Sequence, residues 1–393
     1  MSAWDLLIGQ SGVVAELDRA ASAAHTDPGG RHSGAMTHAW LVTGPPGSGR
    51  SNAAIAFAMA LMCPEGGCGE CVDCRSVARR SHVDVEIIRP EGLSYRTGET
   101  RELVRRASIA PARGGWHVMI IEDADRLTES ANNVLLKAIE EPPPHTVWVL
   151  CAPSTEDVLP TIRSRCRVVR LRTPDAAAVT AALIERDEVD PAMAAFAARA
   201  AQGHIGRARA LATDEGARIR RQEILRIPTQ SEDLASCFAA AANVLEAATE
   251  DAKSQTDPQD EKERSNLLRA YGEGGEGKGI SRTPRGAKGA VKELEDRQTS
   301  RRTRTVRDSL DRALIDLLSF YRDVLVMQTG AEVGLVNDEM RTQLVQVASR
   351  STPESTRRRI DVVSDARLAL HANVAPLLAL EALVVGLRSE QRS

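Results

Sequence analysis

Residues Gly44–Ser51 read GPPGSGRS and lie between an apolar run, Ala39–Thr43 (AWLVT), and a helix-forming apolar stretch, NAAIAFAMAL. A glycine-rich turn that leaves a strand and opens a helix presents backbone N–H groups at the helix N-terminus, which is how phosphate is cradled. Gly44, Pro45, Pro46, Gly47, Ser48, Gly49, Arg50 and Ser51 are therefore candidate nucleotide-binding residues. The pattern asks for lysine where Arg50 stands. Arginine keeps the charge, but its planar fork is a poor substitute for a compact ammonium between phosphates. Ser51 keeps the hydroxyl that holds Mg²⁺ in such loops.

That strand has company. Asp84–Ile88, His117–Ile121, Thr146–Cys151 and Arg167–Leu171 are further short apolar runs, separated by helical stretches. Runs without clean alternation predict strands buried on both faces, as in a parallel sheet between helix layers. Residues 1–172 are thus expected to form a doubly wound α/β domain of five strands. After Pro174 strand signals stop. Residues 173–213 read as Ala-rich helices broken at Pro191 and Gly203, and 214–393 as an all-helical domain. Leu310, Leu314, Leu317, Tyr321 and Val324 fall on one face of a long helix, and Leu377–Leu387 predicts a last apolar helix after Pro376. About 253–287 is rich in glycine and charge and predicts a solvated, flexible loop, the alternative being a segment that orders on DNA or a partner.

A phosphate loop needs an acid at the end of a neighbouring strand. In Val118–Asp125, VMIIEDAD, Glu122 takes the Mg²⁺-holding position and Asp123 the water-activating one. The customary order is Asp then Glu. Exchanging them moves each carboxylate by about one methylene, and a misplacement of about 1 Å costs on the order of 10²-fold in rate. Efficient hydrolysis at this chain's own site is not expected.

Cys63, Cys68, Cys71 and Cys74 form C-x4-C-x2-C-x2-C, with Gly66, Gly67 and Gly69 among them. Four thiolates on tight turns suit a closed, tetrahedral structural zinc site. Cys151, Cys166 and Cys237 read as core thiols. The net charge of −3 and pI of about 6.3 argue against a protein that grips DNA alone, and 3% aromatics against a base-stacking platform. No apolar run approaches a membrane span and the start, MSAWDLLIGQ, lacks a secretory pattern, so a cytoplasmic protein with reduced cysteines is expected.

Further strings carry a family resemblance: Ile8–Val13 (IGQSGV), Ile109–Gly114 (IAPARG), Asn133–Pro143 (NVLLKAIEEPP) and Ser164–Cys166 (SRC). With the phosphate loop and the cysteine module, they resemble the clamp-loader branch of the AAA+ ATPases over residues 5–212. The resemblance implies a sheet of order 5-1-4-3-2, a three-helix lid over 173–213 and a helical collar over 214–393 that joins subunits in a ring of five. It implies ATP or ADP with Mg²⁺ as the ligand of such loops. It also implies that Arg165 of SRC reaches a neighbour's ATP as an arginine finger, with Arg163 and Arg167 as nearby substitutes. The lid string Gly203–Leu211, GHIGRARAL, puts Gly206 where the family's γ-phosphate-sensing arginine stands, with Arg207 displaced by one. Together with Arg50 and the Glu122–Asp123 order, this resembles the delta-prime class, as does Leu317–Leu325 (LLSFYRDVL).

The resemblance implies a subunit that is not expected to be catalytic alone. It would act with gamma/tau and delta subunits in a hetero-pentamer of DNA polymerase III. That complex loads the sliding clamp on primer-template DNA during replication. The alternatives left open are a gamma/tau-type motor, a pure assembly scaffold and a stand-alone ATPase.

Overall fold

In a computed structural model, residues 2–26, 34–90, 92–95, 97–112, 115–230, 233–271 and 287–388 are described. They divide into two compact units, Met1–Thr213 and Asp214–Ser393.

In the first unit the apolar runs become five parallel strands: β1 (Ala39–Thr43), β2 (Val85–Ile88), β3 (His117–Ile121), β4 (Thr146–Ala152) and β5 (Arg167–Arg170). Their order is β2-β3-β4-β1-β5, the order that the family resemblance implies. Every residue of β1, β3 and β4 is buried, which is why these runs do not alternate in polarity. Side chains nonetheless alternate between two cores, as the pleat demands. Trp40, Val42, Val118, Ile120, Val147 and Val149 meet α1 (Ser11–Thr26) and α2 (Arg50–Met62) on one face. Leu41, Met119, Ile121, Trp148 and Leu150 meet α4 (Thr97–Ala107) and α5 (Glu129–Glu140) on the other. Of the short helices, α3 (Val72–Ala78) packs on α2 in the first layer and α6 (Pro160–Arg163) on α5 in the second.

Three helices follow β5: α7 (Ala176–Asp187), α8 (Pro191–Ala201) and α9 (Ile205–Thr213). Asp175 and Asp190 cap the first two, and Pro191 opens α8 at the position where its missing N–H costs nothing. Gly203 has φ +85°, and a β-carbon there would run into Thr173 and stand 2.9 Å from the Pro174 carbonyl. The break before α9 is therefore compulsory for glycine. The IGQ string also has a physical role: Gln10 is buried, and its amide donates to Arg172 O at 2.6 Å and accepts from Arg172 N at 3.2 Å. This holds the chain where it leaves the sheet.

The second unit is helical: α10 (Glu215–Gln230), α11 (Leu234–Ala270), α12 (Ala287–Thr329), α13 (Arg341–Ser349), α14 (Pro353–His371) and α15 (Pro376–Arg388). Leu310, Leu314, Leu317, Tyr321 and Val324 are all buried in its core, as their spacing predicts. The expected loop over 253–287 needs correction. Residues 253–270 continue α11, and the segment 272–286 lies outside the described residues. The helical part pairs with α12 through charge: Arg301 meets Asp260 at 2.8 Å and Glu263 at 2.9 Å, and Arg302 meets Asp257 at 2.7 Å. No helix among the described residues is long and apolar enough to cross a membrane.

Candidate functional site

The phosphate loop lies between β1 and α2, with Gly47 at φ +83° and Gly49 at +95°. Both conformations are ones that glycine alone adopts freely. The loop closes on itself. Ser48 N donates to Pro45 O at 3.1 Å, and Arg50 Nη1 donates to Gly44 O at 2.9 Å. The Ser48 hydroxyl is buried and has no hydrogen-bond partner among the described residues. His204, just before α9, rests on the loop: a β-carbon at Gly47 would lie 2.6 Å from His204 Cα. Ile205 N donates to Gly47 O at 3.3 Å. The one cation of the motif is thus turned to its own loop, and a residue of the three-helix segment covers Gly47.

The acids that follow β3 part company. Glu122 is buried. Arg89 Nε donates to its Oε2, and Arg80 Nη2 lies 3.5 Å from its Oε1. Its backbone is held as well, with its N–H on Ile88 O at 2.9 Å. A carboxylate already neutralised by two guanidinium groups does not fit the ligand position of a catalytic Mg²⁺. Asp123 sits at φ +51° just before a short turn, Ala124–Arg126, which its side chain does not cap. Asp125 stands behind it. Burial pushes the Asp125 carboxyl up, the Asp123 charge adds to this, and Arg126 and Arg50 oppose it. The arrangement keeps a phosphate-loop fold in which Arg50 is turned to Gly44 O and Glu122 is tied to Arg89 and Arg80.

The cysteine module joins α2 to α3. Gly66, Gly67 and Gly69 have φ of +68°, +99° and +79°, and so let the chain turn tightly around the sulfurs. Cys71 caps α3. The four Sγ atoms lie within 4.8 Å of one another, with Cys63–Cys68 at 3.6 Å and Cys71–Cys63 at 3.8 Å. A tetrahedron of sulfurs at a zinc–sulfur bond of about 2.3 Å has edges of about 3.8 Å, so the set fits such an ion. Amides are aimed at sulfur: Cys68 N on Cys63 Sγ at 3.4 Å, Cys71 N on Cys68 Sγ at 3.4 Å and Cys74 N on Cys71 Sγ at 3.3 Å. For Cys63, burial pushes the thiol up, but the amides of Cys68, Gly67 and Glu65 outweigh it and hold the thiol at about 7. Burial pushes Cys74 up. Four cysteines could hold a metal ion here and leave it no open position.

The SRC string occupies the turn between α6 and β5. Arg163 donates to Thr155 O at 3.2 Å. Arg167 donates to Gly34 O at 2.7 Å and to Ala35 O, and lies over the Trp40 ring. Both are committed to backbone carbonyls of this unit. Arg165 differs. Its side chain is 40% exposed, with Nη2 2.5 Å from Glu140 Oε1 and Nη1 on Thr161 O at 2.8 Å. No local signal points to a partner for Arg165, and Glu140 is that partner. Arg80, Arg89, Asp125 and His204 were likewise not anticipated. His204 and Asp125 do lie in strings quoted above, GHIG and VMIIEDAD, but Arg80 and Arg89 carry no such mark.

Residues 30–175 match the profile of the family described as DNA polymerase III, delta subunit. The chain is 26% identical to DNA polymerase III subunit delta' of Bacillus subtilis over 356 residues, which cover 90% of this chain and 91% of that one. It is 35% identical to DNA polymerase III subunit gamma/tau of Mycobacterium tuberculosis H37Rv over 164 residues, 40% of this chain. It spans only 27% of that relative's length. Subunit delta' of Pseudomonas aeruginosa is 36% identical over 147 residues, 36% of this chain and 45% of its own.

Proposed function

We propose that this chain, which belongs to the delta'/gamma/tau clamp-loader family of DNA polymerase III, acts as a delta'-type stator that completes a neighbour's ATPase site and has no working site of its own. The observation that carries the reading is a contrast within one unit. The acid expected to hold Mg²⁺, Glu122, is buried and tied to Arg89 and Arg80, while Arg165 stands half-exposed at the edge of the sheet. The extent of similarity points the same way. Likeness to gamma/tau covers 40% of this chain, whereas likeness to the B. subtilis delta' covers 90% of it and 91% of that relative.

In this reading Arg165 reaches a phosphate of ATP bound by a gamma/tau neighbour. Its planar fork matches a phosphoryl group with two parallel hydrogen bonds. Charge that builds on the transferring group is stabilised in place, an effect worth roughly 10³–10⁵ in rate in well-studied NTPases. The helical unit is the collar of a hetero-pentamer with gamma/tau and delta, and contacts to the sliding clamp and primer-template DNA are made through that complex. The ion of the cysteine module is zinc, with a structural role. ATP or ADP at this chain's own loop, if bound at all, is not turned over, and the setting is the cytoplasm.

The test is a loader reconstituted with wild-type, Arg165→Ala or Arg165→Lys chain and identical motor subunits. Assembly should be unchanged. The neighbouring site should lose on the order of 10³-fold or more with alanine, and lysine should rescue poorly for want of the fork. Only one motor site is affected, so whole-complex ATPase falls in part and clamp loading falls further. Equal loading rates for all three would reduce the chain to a scaffold.

A further inference from the structure

We propose that Glu140 is a positioning residue for Arg165, parking the guanidinium on its own subunit until a neighbour's nucleotide phosphates displace it. The proposal rests on the arginine-finger reading above. Glu140 is the last residue of α5, and α5 packs on the short helix α6 that leads into Arg165. The contact is close, 2.5 Å from Nη2 to Oε1, yet both side chains are about 40% exposed, 40% for the arginine and 39% for the glutamate. An ion pair in such a setting is screened by water and biases a conformation only about one- to five-fold. The other contacts of Arg165 are light: Thr161 O at 2.8 Å and the Ser164 hydroxyl at 3.3 Å, both within its own turn.

Exchange is therefore easy. A nucleotide phosphate carries more charge than one carboxylate and accepts the fork at two oxygens, so it wins the guanidinium once it is within reach. Arg163 and Arg167 have no such freedom, because their donors hold backbone carbonyls at Thr155, Gly34 and Ala35. The pairing also has a sign. While Glu140 holds Arg165, the arginine's charge is masked, and nucleotide binding next door must displace a competitor. Removing the glutamate charge should tighten nucleotide binding at that site without altering the saturated rate.

The experiment compares assembled loaders carrying wild-type, Glu140→Gln, Arg165→Ala and the double variant, each with ATP titrated at low and high salt. Glu140→Gln should lower the KM for ATP about two- to five-fold with kcat unchanged, and the difference should shrink at high salt as the exposed pair is screened. In the Arg165→Ala background the same change should do nothing. A purely structural Glu140 would instead lower thermal stability and leave KM alone. If Arg165→Ala impairs the loader but Glu140→Gln leaves KM unchanged or raises it, the parking role is overturned and the finger reading stands. If Arg165→Ala is itself silent, both fall.

Discussion

Glu122 and Glu140 lie in the same unit, and each pairs with arginine, but water treats them differently. The Glu122 side chain is 4% exposed and meets Arg89 and Arg80. The Glu140 side chain is ten times more accessible and meets Arg165. A buried carboxylate that loses its partner keeps an uncompensated charge, whereas an exposed one is simply rehydrated. The first pair is consequently permanent and the second exchangeable. Residue type does not separate these two carboxylates; desolvation does. The second unit extends the scale. Asp323 is fully buried, pairs with Arg322, and accepts from Asn337 N at 2.7 Å, Asn337 Nδ2 at 2.9 Å and Val336 N at 3.1 Å. It pins the turn after α12. Arg221 binds the same turn through Asn337 and Glu339 and reaches Asp316 at 3.2 Å.

The scale is open to breakage at each level. Asp323→Ala should cost the second unit about 3 kcal/mol, because three N–H donors of the turn lose their acceptor together with the charge. Urea unfolding of the full chain measures it, and a loss under about 1 kcal/mol would remove burial as the organising variable. Glu122→Ala should cost the first unit about 1–3 kcal/mol, less than Asp323→Ala because Arg80 and Arg89 are half-exposed and regain water. Glu140→Ala should change stability by less than about 1 kcal/mol. Smallest of all, Arg50→Lys should leave the isolated chain's ATP turnover negligible, since Glu122 stays bound to its arginines. Turnover appearing in that variant would show that the loop's missing lysine was the only obstacle.

Much of the sheet was legible because each strand is a local fact: Ala39–Thr43 and His117–Ile121 are strands to the residue. Thr146–Ala152 runs one residue past its apolar run, β2 starts one residue late and β5 stops one short. The four sulfurs were legible too, since twelve residues of chain hold them all. The fate of Glu122 was not. Arg89 lies 33 residues earlier on another strand's exit, and only the β2–β3 pairing brings it there. The helix through 253–270 was missed for a different reason. Its partner surface is largely carboxylates and arginines, so it shows little apolar period, and composition alone resembles a solvated loop. Asp323 stood within a string that carried the resemblance, but nothing local reveals that its carboxylate holds a turn fourteen residues on.

The N-terminal residues are tied to the cysteine module. Ala3 N donates to Gly67 O at 2.8 Å, and a β-carbon at Gly67 would stand 2.9 Å from Ala3 Cβ. Gly67 lies between two of the sulfur-bearing residues, so its carbonyl is held in place only as long as the knuckle keeps its shape. The amide of Ala3 is therefore a reporter placed far from the sulfurs in the sequence and next to them in space. Its hydrogen exchange should be slow while the knuckle is closed around an ion and fast once chelation lets it open. That makes the first turn of the chain a convenient gauge of metal loading, and a poor place to attach a bulky tag.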